Sequence, residues 1–171
     1  TSPGGFLPGI TPENVLSRTQ WRNRLIADAL EHTQLVERSG QGIDNIFEAS
    51  IRQGKGLPDF NGTDSYLVQI NIPAIVQDAG FVRFLEKLAN EKQITLSLEE
   101  MVELEKMRGE RMLRDLRFKE KFLELGIIER IGKTSGAKYI LSHRYYEHKR
   151  KLGEYTRIKG LTREHKKQLI L

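Results

Sequence analysis

Apolar residues recur at helical spacing in two stretches of the first 60 residues. The first stretch covers residues 24 to about 37, and the second begins after Gly42 and ends before Gly54. A spacing of three and four residues places such side chains on one face of a helix. Residues 66–72 instead alternate apolar and polar side chains, which is typical of a strand. The first part of the chain is therefore predicted to mix helix and strand.

The second part begins near Asp78 and shows three further helical patterns followed by a hairpin pattern. The predicted elements are, in order, a helix with the face Phe81, Phe84, Leu85, Leu88 and Ala89, a brief strand at 94–96, a helix after 97, a helix from about 110 to 125, and strands at 127–131 and 138–141. Ser97 and Glu100 match a capping box, in which each side chain accepts the other residue's free backbone N–H. Gly109 is expected to separate the last two helices, and the turn-forming residues 132–136 join the strands.

This order of helix, short strand, helix, turn, helix and hairpin is typical of a winged helix-turn-helix. Three short helices cannot bury their apolar faces separately, so they pack together and the hairpin covers the open side. We therefore predict an α+β chain, with a small mixed segment at 1–75 and a winged-helix domain at 76–142. Residues 143–171 are expected to form a basic helical tail or a linker to a further domain.

The distribution of charge separates an acidic front from a basic back. Residues 1–105 hold 9 Lys and Arg against 15 Asp and Glu, whereas residues 106–142 hold 10 against 5 and residues 143–171 hold 9 against 3. The overall charge of +5 is therefore concentrated in the back. Such an asymmetry suggests that only the back meets a polyanion. A solvated basic surface is the alternative explanation.

The composition excludes several classes of protein and site. The chain has no cysteine, so disulfides, thiolate catalysis and thiolate zinc sites are excluded. No apolar run approaches the roughly 20 residues that span a bilayer, and the Pro- and Gly-rich start lacks the pattern of a signal peptide. We therefore expect a cytoplasmic protein without a membrane partner. Because the chain does not begin with Met, we also expect it to be part of a longer protein.

Basic residues lie where a winged helix would meet DNA. Arginines recur every three residues from the turn into the predicted third helix, and short polar or cationic residues form the tip of the hairpin. The predicted DNA-binding residues are Arg108, Arg111, Arg114, Arg117, Lys121, Lys133, Thr134, Ser135 and Lys138. The arginines at 111, 114 and 117 would face the major groove, where arginine can bind guanine or phosphate. The lysines of the hairpin would bind the DNA backbone.

Two features of this region have a structural alternative. Acidic residues alternate with the arginines and could pair with them four residues apart, which would give a solvated, salt-bridged helix. They are Glu110, Asp115, Glu120 and Glu124. Tyr145 and Tyr146 lie among basic residues and could stack on bases. Tyrosines in such a place more often pack a terminal helix onto its domain, which is the interpretation we favour.

Gly40 and Gly42 open the second predicted helix and form a candidate anion site. Glycines let the backbone approach a ligand, and the free N–H groups at a helix start attract phosphate. The same spacing also fits an ordinary turn. The four histidines lack metal-ligand spacing, and the acidic residues are scattered, so neither a metal site nor a general acid–base pair is predicted.

Several motifs of the front half are similar to a known family. They are residues 2–14 (SPGGFLPGITPEN), 22–23 (RN), 26–30 (IADAL) and 35–43 (LVERSGQGI), with a looser match at 153–157 (GEYTR). This stretch resembles the carboxy-terminal region of the RecG-related "ATP-dependent DNA helicase" or transcriptional regulator family. Members of that family combine a Schlafen/AlbA-like domain, a region resembling the ATP-binding fold of histidine kinases and gyrase, and winged helices.

The resemblance implies part of a histidine-kinase- or gyrase-like ATPase fold at 1–75, with nucleotide binding near Ser39, Gly40 and Gly42. It also implies that the helix carrying the metal-holding Asn and a catalytic acid precedes Thr1, so the nucleotide site is incomplete here. We expect no cofactor in this chain and ATP with magnesium in the longer protein. The chain has no Gly-x-x-x-x-Gly-Lys-Ser/Thr loop, so a helicase motor is not supported and no enzymatic activity is predicted.

Three functions follow from these observations. The first is duplex DNA binding by the winged helix of a bacterial-type transcriptional regulator. The second is an ATP-binding regulatory or helicase-related module built on the front segment. The third is a protein–protein module, in which a homodimer would hide the third helix of the winged-helix domain.

Overall fold

A computed structural model describes residues 1–36, 40–132 and 136–160. The helices of this part are α1 Arg24–His32, α2 Gln41–Arg52, α3 Ala79–Lys92, α4 Leu98–Glu110, α5 Lys119–Glu124, α6 His143–His148 and α7 Leu152–Ile158. The strands are β1 Ser2–Pro3, β2 Leu67–Val68, β3 Ile128–Ile131 and β4 Lys138–Leu141. The protein is thus a mixed α+β structure with two small antiparallel sheets. None of the described helices has the length and apolar character to cross a membrane.

A two-stranded sheet joins the start of the chain to the residues near position 67. β1 pairs with β2, and an isolated bridge joins Asp59 to Asn71. The strand predicted at 66–72 is therefore only two residues long. The hydroxyl of Thr63 accepts the N–H of Gln69 and donates to its carbonyl, at 3.0 Å in both cases. Because the Thr63 hydroxyl occupies the N–H and the carbonyl of Gln69, these groups do not pair with another strand, and β2 ends before Gln69.

One apolar core is formed by helices from both halves of the chain. Its buried residues are Ile51, Phe81, Phe84, Leu88, Met101, Leu104, Met107, Leu116, Phe122, Ile127, Ile128, Ile140, Leu141, Tyr145, Tyr146 and Tyr155. Ile51 comes from α2, and α2 packs on α4. The packing interpretation of Tyr145 and Tyr146 is confirmed, because both rings are buried and α6 lies against α3. The basic tail thus packs onto the core as far as it is described, and residues 161–171 lie outside the described part.

The long helix predicted at 110–125 is wrong. α4 continues through Gly109 and ends at Glu110, and the next residue, Arg111, has a φ of 65° outside the helical region. Leu113 then exchanges backbone hydrogen bonds with Tyr139, at 3.1 and 2.7 Å, and so adds a bridge to the edge of β4. A residue that bonds to a strand cannot contribute to a helical ladder. Only the short helix α5 remains of the predicted third helix.

The strand predicted at 94–96 is also wrong. These residues form a loop between α3 and α4. The helix before the loop ends at Lys92, and Gln93 follows it with a φ of 50°. Ile94 and Leu96 pack partly against the core without a strand partner. The capping box that follows is confirmed, since the Ser97 hydroxyl accepts the Glu100 N–H and the Glu100 carboxylate accepts the Ser97 N–H.

The first predicted helix is shorter than expected. α1 ends at His32, where the hydroxyl of Thr33 donates to the carbonyls of Ala29 and Leu30. Gln34 then takes a φ of 57°, which a helix cannot continue. Residues 37–39 lie outside the described part.

Candidate functional site

Arg108 belongs to a buried network and does not face solvent as a DNA-contacting arginine would. Its guanidinium donates to both carboxylate oxygens of Glu105 and to the side chain of Gln77, and its side chain is 14% exposed. Burial raises the pKa of Glu105 above its ordinary value, although Arg108 opposes this shift. The donors of Arg108 are thus used inside the protein, and its predicted role in DNA binding stays a prediction that this pairing disfavours.

Arg117 and Lys121 are bound by carboxylates of α4. The guanidinium of Arg117 lies 2.7 Å from Glu99, and the ammonium of Lys121 lies 2.5 Å from Glu100. Glu103, about one turn further along the same helix, accepts the backbone N–H groups of Arg117 and Phe118 at 2.6 and 3.0 Å. Acidic side chains of α4 thus fix the start of α5, which has no side-chain cap of its own.

Salt bridges do form here, as the alternative interpretation predicted, but their carboxylates are not the predicted ones. The pairs link α5 and the loop before it to α4, rather than linking residues within one helix. Arg111, at the end of α4, lies 3.5 Å from Glu154 of α7 and keeps a largely exposed side chain. Arg111, Arg117 and Lys121 pair with carboxylates of other helices. Residues 111–118 do not form the helix in which residues four positions apart would be neighbours.

Arg114 and Lys138 are the predicted residues that flank the bridge between Leu113 and Tyr139. Arg114 directly follows Leu113, and Lys138 directly precedes Tyr139. Arg114 is exposed, and no carboxylate pairs with it within the described residues. Lys133, Thr134 and Ser135 lie outside the described residues. Lys119, which is exposed at the start of α5, was not identified from the sequence.

Asp78 lies at the centre of a buried polar network between α3, α4 and α6. Its carboxylate accepts the N–H of Phe81, which caps α3, and the hydroxyl of Tyr145 at 2.7 Å. Lys149 lies 3.0 Å away and Arg108 4.0 Å away. Burial by itself would raise the pKa of Asp78, but the hydrogen bonds from Tyr145 and Lys149 outweigh it, so this pKa lies below its ordinary value.

Glu129 joins the hairpin to the two helices that follow it. Its carboxylate accepts the backbone N–H of His143 at 2.9 Å and the hydroxyl of Tyr155 at 2.7 Å, and it also binds the ammonium of Lys159. Burial opposes ionisation, but these donors prevail and lower the pKa of Glu129 to about 2. Glu129 was not predicted from the sequence. The available signal was a carboxylate that directly follows two apolar residues, Ile127 and Ile128, in the predicted strand.

The front segment contains a cleft beside the two glycines of the candidate anion site. Its volume is about 460 Å³, and Gly40, Gly42, Arg18 and Thr19 are among the residues that line it. Gly40 takes a φ of 73°, and a Cβ there would lie 2.5 Å from the hydroxyl of Thr19. Gly40 caps α2 without a side-chain hydrogen bond to the helix. Ser39 lies outside the described residues.

Arg22 closes one side of this cleft. Its guanidinium donates to the carbonyls of Gly4 and Gly5 at 2.9 and 2.7 Å. Arg22 therefore holds the amino-terminal turn in place, while Arg18 supplies a second cation to the cleft wall. Among the described residues, no group of acidic, histidine or cysteine side chains has the arrangement of a metal site.

Comparison with known proteins gives one informative result, and it concerns the front segment. No curated protein and no solved structure matches the chain. Residues 1–70 match a family model described as "Putative ATP-dependent DNA helicase recG C-terminal", which relates this part of the chain to a helicase-related, ATPase-like family.

Proposed function

We propose that the second half of the chain binds duplex DNA, as part of a transcriptional regulator. The observation that carries this proposal is the bridge between Leu113 and Tyr139. It adds the segment before α5 to the hairpin, so that α4, a strand position, α5 and the hairpin follow one another. This order of helix, strand position, helix and hairpin supports part of the winged-helix plan, in which three helices precede the hairpin.

The charges near the hairpin support the same function, with fewer residues than the sequence predicted. Arg114 and Lys138 flank the bridged residues Leu113 and Tyr139 in the sequence, and Lys119 is exposed at the start of α5. Such groups can bind phosphate oxygens. Arg108, Arg117 and Lys121 are already paired with carboxylates. The DNA surface that we propose therefore centres on the edge of the hairpin rather than on a row of arginines along a helix.

Titration with duplex DNA at two salt concentrations tests this proposal. Arg114→Ala and Lys138→Ala should each weaken binding about fivefold to tenfold, which is roughly 1 kcal/mol. Each should also reduce the salt dependence by about 0.9 log unit per log unit of salt, because one phosphate contact is lost. Arg52→Ala is the matched control, since Arg52 is an exposed arginine on α2 that pairs with Glu48. Unchanged affinity and salt slope in both hairpin variants would contradict the proposal.

A second candidate function is nucleotide binding in the front cleft. The family match over residues 1–70 favours it, as does the cleft beside Gly40 and Gly42. A volume of this size is typical of sites for small molecules. The start of α2 and the cation of Arg18 would suit a phosphate group.

Calorimetry with ATP and magnesium tests the second function. Gly42 lines the cleft, and a Cβ on it would meet no atom within 4 Å. Gly42→Leu should therefore fill part of the cleft without disturbing the fold, and it should weaken binding at least about tenfold. Gly109→Leu is the control, because Gly109 is a helical glycine with equally open space outside the cleft. If neither the unchanged chain nor a chain extended at its amino terminus gives binding heat, this second function is wrong, while the DNA proposal is unaffected.

A further inference from the structure

Helices α6 and α7 expose three cations that no carboxylate neutralises. Arg150 and Lys151 lie between the two helices, and Arg157 lies on α7. Within the described residues, none of the three forms a salt bridge. The other cations of this region are bound by carboxylates, and they are Arg144, Lys149 and Lys159. We call Arg150, Lys151 and Arg157 the tail patch.

Arg150 occupies a backbone position that favours glycine. It follows α6 with a φ of 55°, and the N–H groups of Arg150 and Lys151 donate to the carbonyls of Glu147 and Tyr146 at 2.9 Å. A left-handed residue after a helix is usually glycine, because a Cβ is crowded there. The Arg150 side chain makes no hydrogen bond or ion pair in the described part of the chain that would offset this strain. Strained residues of this kind cluster at functional sites.

The helix that carries Arg157 packs on the hairpin. The hydroxyl of Tyr155 donates to the carboxylate of Glu129 on β3 at 2.7 Å. Glu129 lies two positions before Ile131, which pairs with Lys138 in antiparallel register. Residues two apart on a strand, and residues paired across two strands, point to the same face of a sheet. The face of the hairpin that Tyr155 contacts is therefore the face to which Lys138 points.

The exposed surface of these helices selects the class of partner. The apolar side chains of Leu152 and Ile158 pack against the core. Between residue 124 and residue 160, the described part of the chain exposes no large apolar side chain. A helix that lies on a membrane needs such side chains beside its cations, so the tail patch does not suit a membrane. Cations alone suit the phosphate groups of a nucleic acid.

We propose that the tail patch binds the phosphate backbone of the same DNA duplex that the hairpin binds. This inference rests on the proposed function of the hairpin, and it adds a second contact at the junction of α6 and α7. Phosphate contacts position a protein on a duplex without reading its sequence. The tail patch should therefore contribute the same affinity to duplexes of unrelated sequence.

Arg150→Gly tests this contact separately from folding. Glycine relieves the left-handed position, so the melting temperature should stay the same or rise by up to about 4 °C. The affinity for two unrelated duplexes should nevertheless fall about threefold to tenfold, and the salt dependence should fall by about 0.9 log unit per log unit of salt. Arg157→Gln should weaken binding by a similar factor. Arg150→Lys keeps the charge and should retain most of the affinity.

Two control variants match the parts of this change. Gln93→Gly relieves the same kind of backbone position, because Gln93 is exposed and has a φ of 50°, but it removes no charge. Lys106→Gln removes an exposed cation of α4 that lies close to Glu13, in the front segment. Both controls should bind duplex DNA as the unchanged chain does.

The possible results distinguish this inference from the function on which it rests. If Arg150→Gly and Arg157→Gln keep full affinity and salt dependence while Arg114→Ala weakens binding, the tail contact is overturned and the hairpin contact stands. An equal loss in Lys106→Gln would also overturn the tail contact, because binding would then follow the total charge and not this patch. If the unchanged chain binds no duplex, both proposals fail.

Discussion

Replacing Asp78 by alanine is expected to lower the free energy of unfolding by about 3–5 kcal/mol. The carboxylate is 3% exposed, and it accepts hydrogen bonds from Phe81, Tyr145 and Lys149. Its removal leaves the Lys149 ammonium without its buried counter-ion and removes the cap of α3. Equilibrium unfolding in urea, followed by circular dichroism, measures the loss.

Two further variants separate the parts of this effect. Asp78→Asn keeps an acceptor for the N–H of Phe81, so it should retain the cap and recover about 1 kcal/mol of the loss. Tyr145→Phe removes one hydrogen bond and leaves the charges paired, so it should cost only about 1–2 kcal/mol. A loss below about 1 kcal/mol for Asp78→Ala would contradict the structural role that we assign to this network.

The effect of Asp78 matters for function because of its position in the chain. It follows the segment that matches the recG C-terminal family and begins the segment that we propose to bind DNA. Its partners Tyr145 and Lys149 come from α6, and Arg108 comes from α4. The same carboxylate thus holds together the helices that support the hairpin.

Features that depend on neighbouring residues could be predicted from the sequence. The capping box at Ser97 and Glu100 is local, and the hairpin at residues 127–141 needs only an apolar strand pattern on each side of a glycine-containing turn. Both are present in the structure. The burial of Tyr145 and Tyr146 was also predicted, because tyrosines in such a place more often pack a terminal helix onto its domain.

Features that depend on distant residues could not be predicted in this way. The backbone of Leu113 bonds to Tyr139, and no local pattern distinguishes this bridge from a further turn of helix. The missed bridge changed the candidate site, because three arginines predicted on one helix became residues of a loop. The binding of Arg117 and Lys121 by carboxylates of α4 could not be predicted either, because the spacing of charges along one helix does not reveal ion pairs between two helices.

The second large effect is a dependence of stability on pH that comes from Glu129. The pKa of this carboxylate is lowered to about 2 in the folded protein, from 4.5 as the ordinary value. A group with a depressed pKa stabilises the fold above its unfolded pKa, and this stabilisation is lost as the pH falls toward the folded pKa. We therefore expect about 3 kcal/mol of stability to disappear between about pH 5 and pH 2.

Comparison of the unchanged chain with Glu129→Gln isolates this contribution. The difference in unfolding free energy between the two proteins should be largest above pH 5 and should shrink by about 3 kcal/mol toward pH 2. Lys159→Met should reduce the pH-dependent part, because the lysine ammonium is one of the donors that lower the pKa of Glu129. A difference that stays constant across this range would contradict the assignment.

The same experiment connects the hairpin with the tail. Glu129 lies on β3, and its donors come from α6, from α7 and from Lys159 beyond it. Protonation of Glu129 below about pH 3 should weaken the attachment of these helices to the hairpin. The ring NMR signals of Tyr155, whose hydroxyl donates to Glu129, should then change over the same pH range as the stability. If the signal of this ring changes only on global unfolding, Glu129 stabilises the fold as a whole and not this junction in particular.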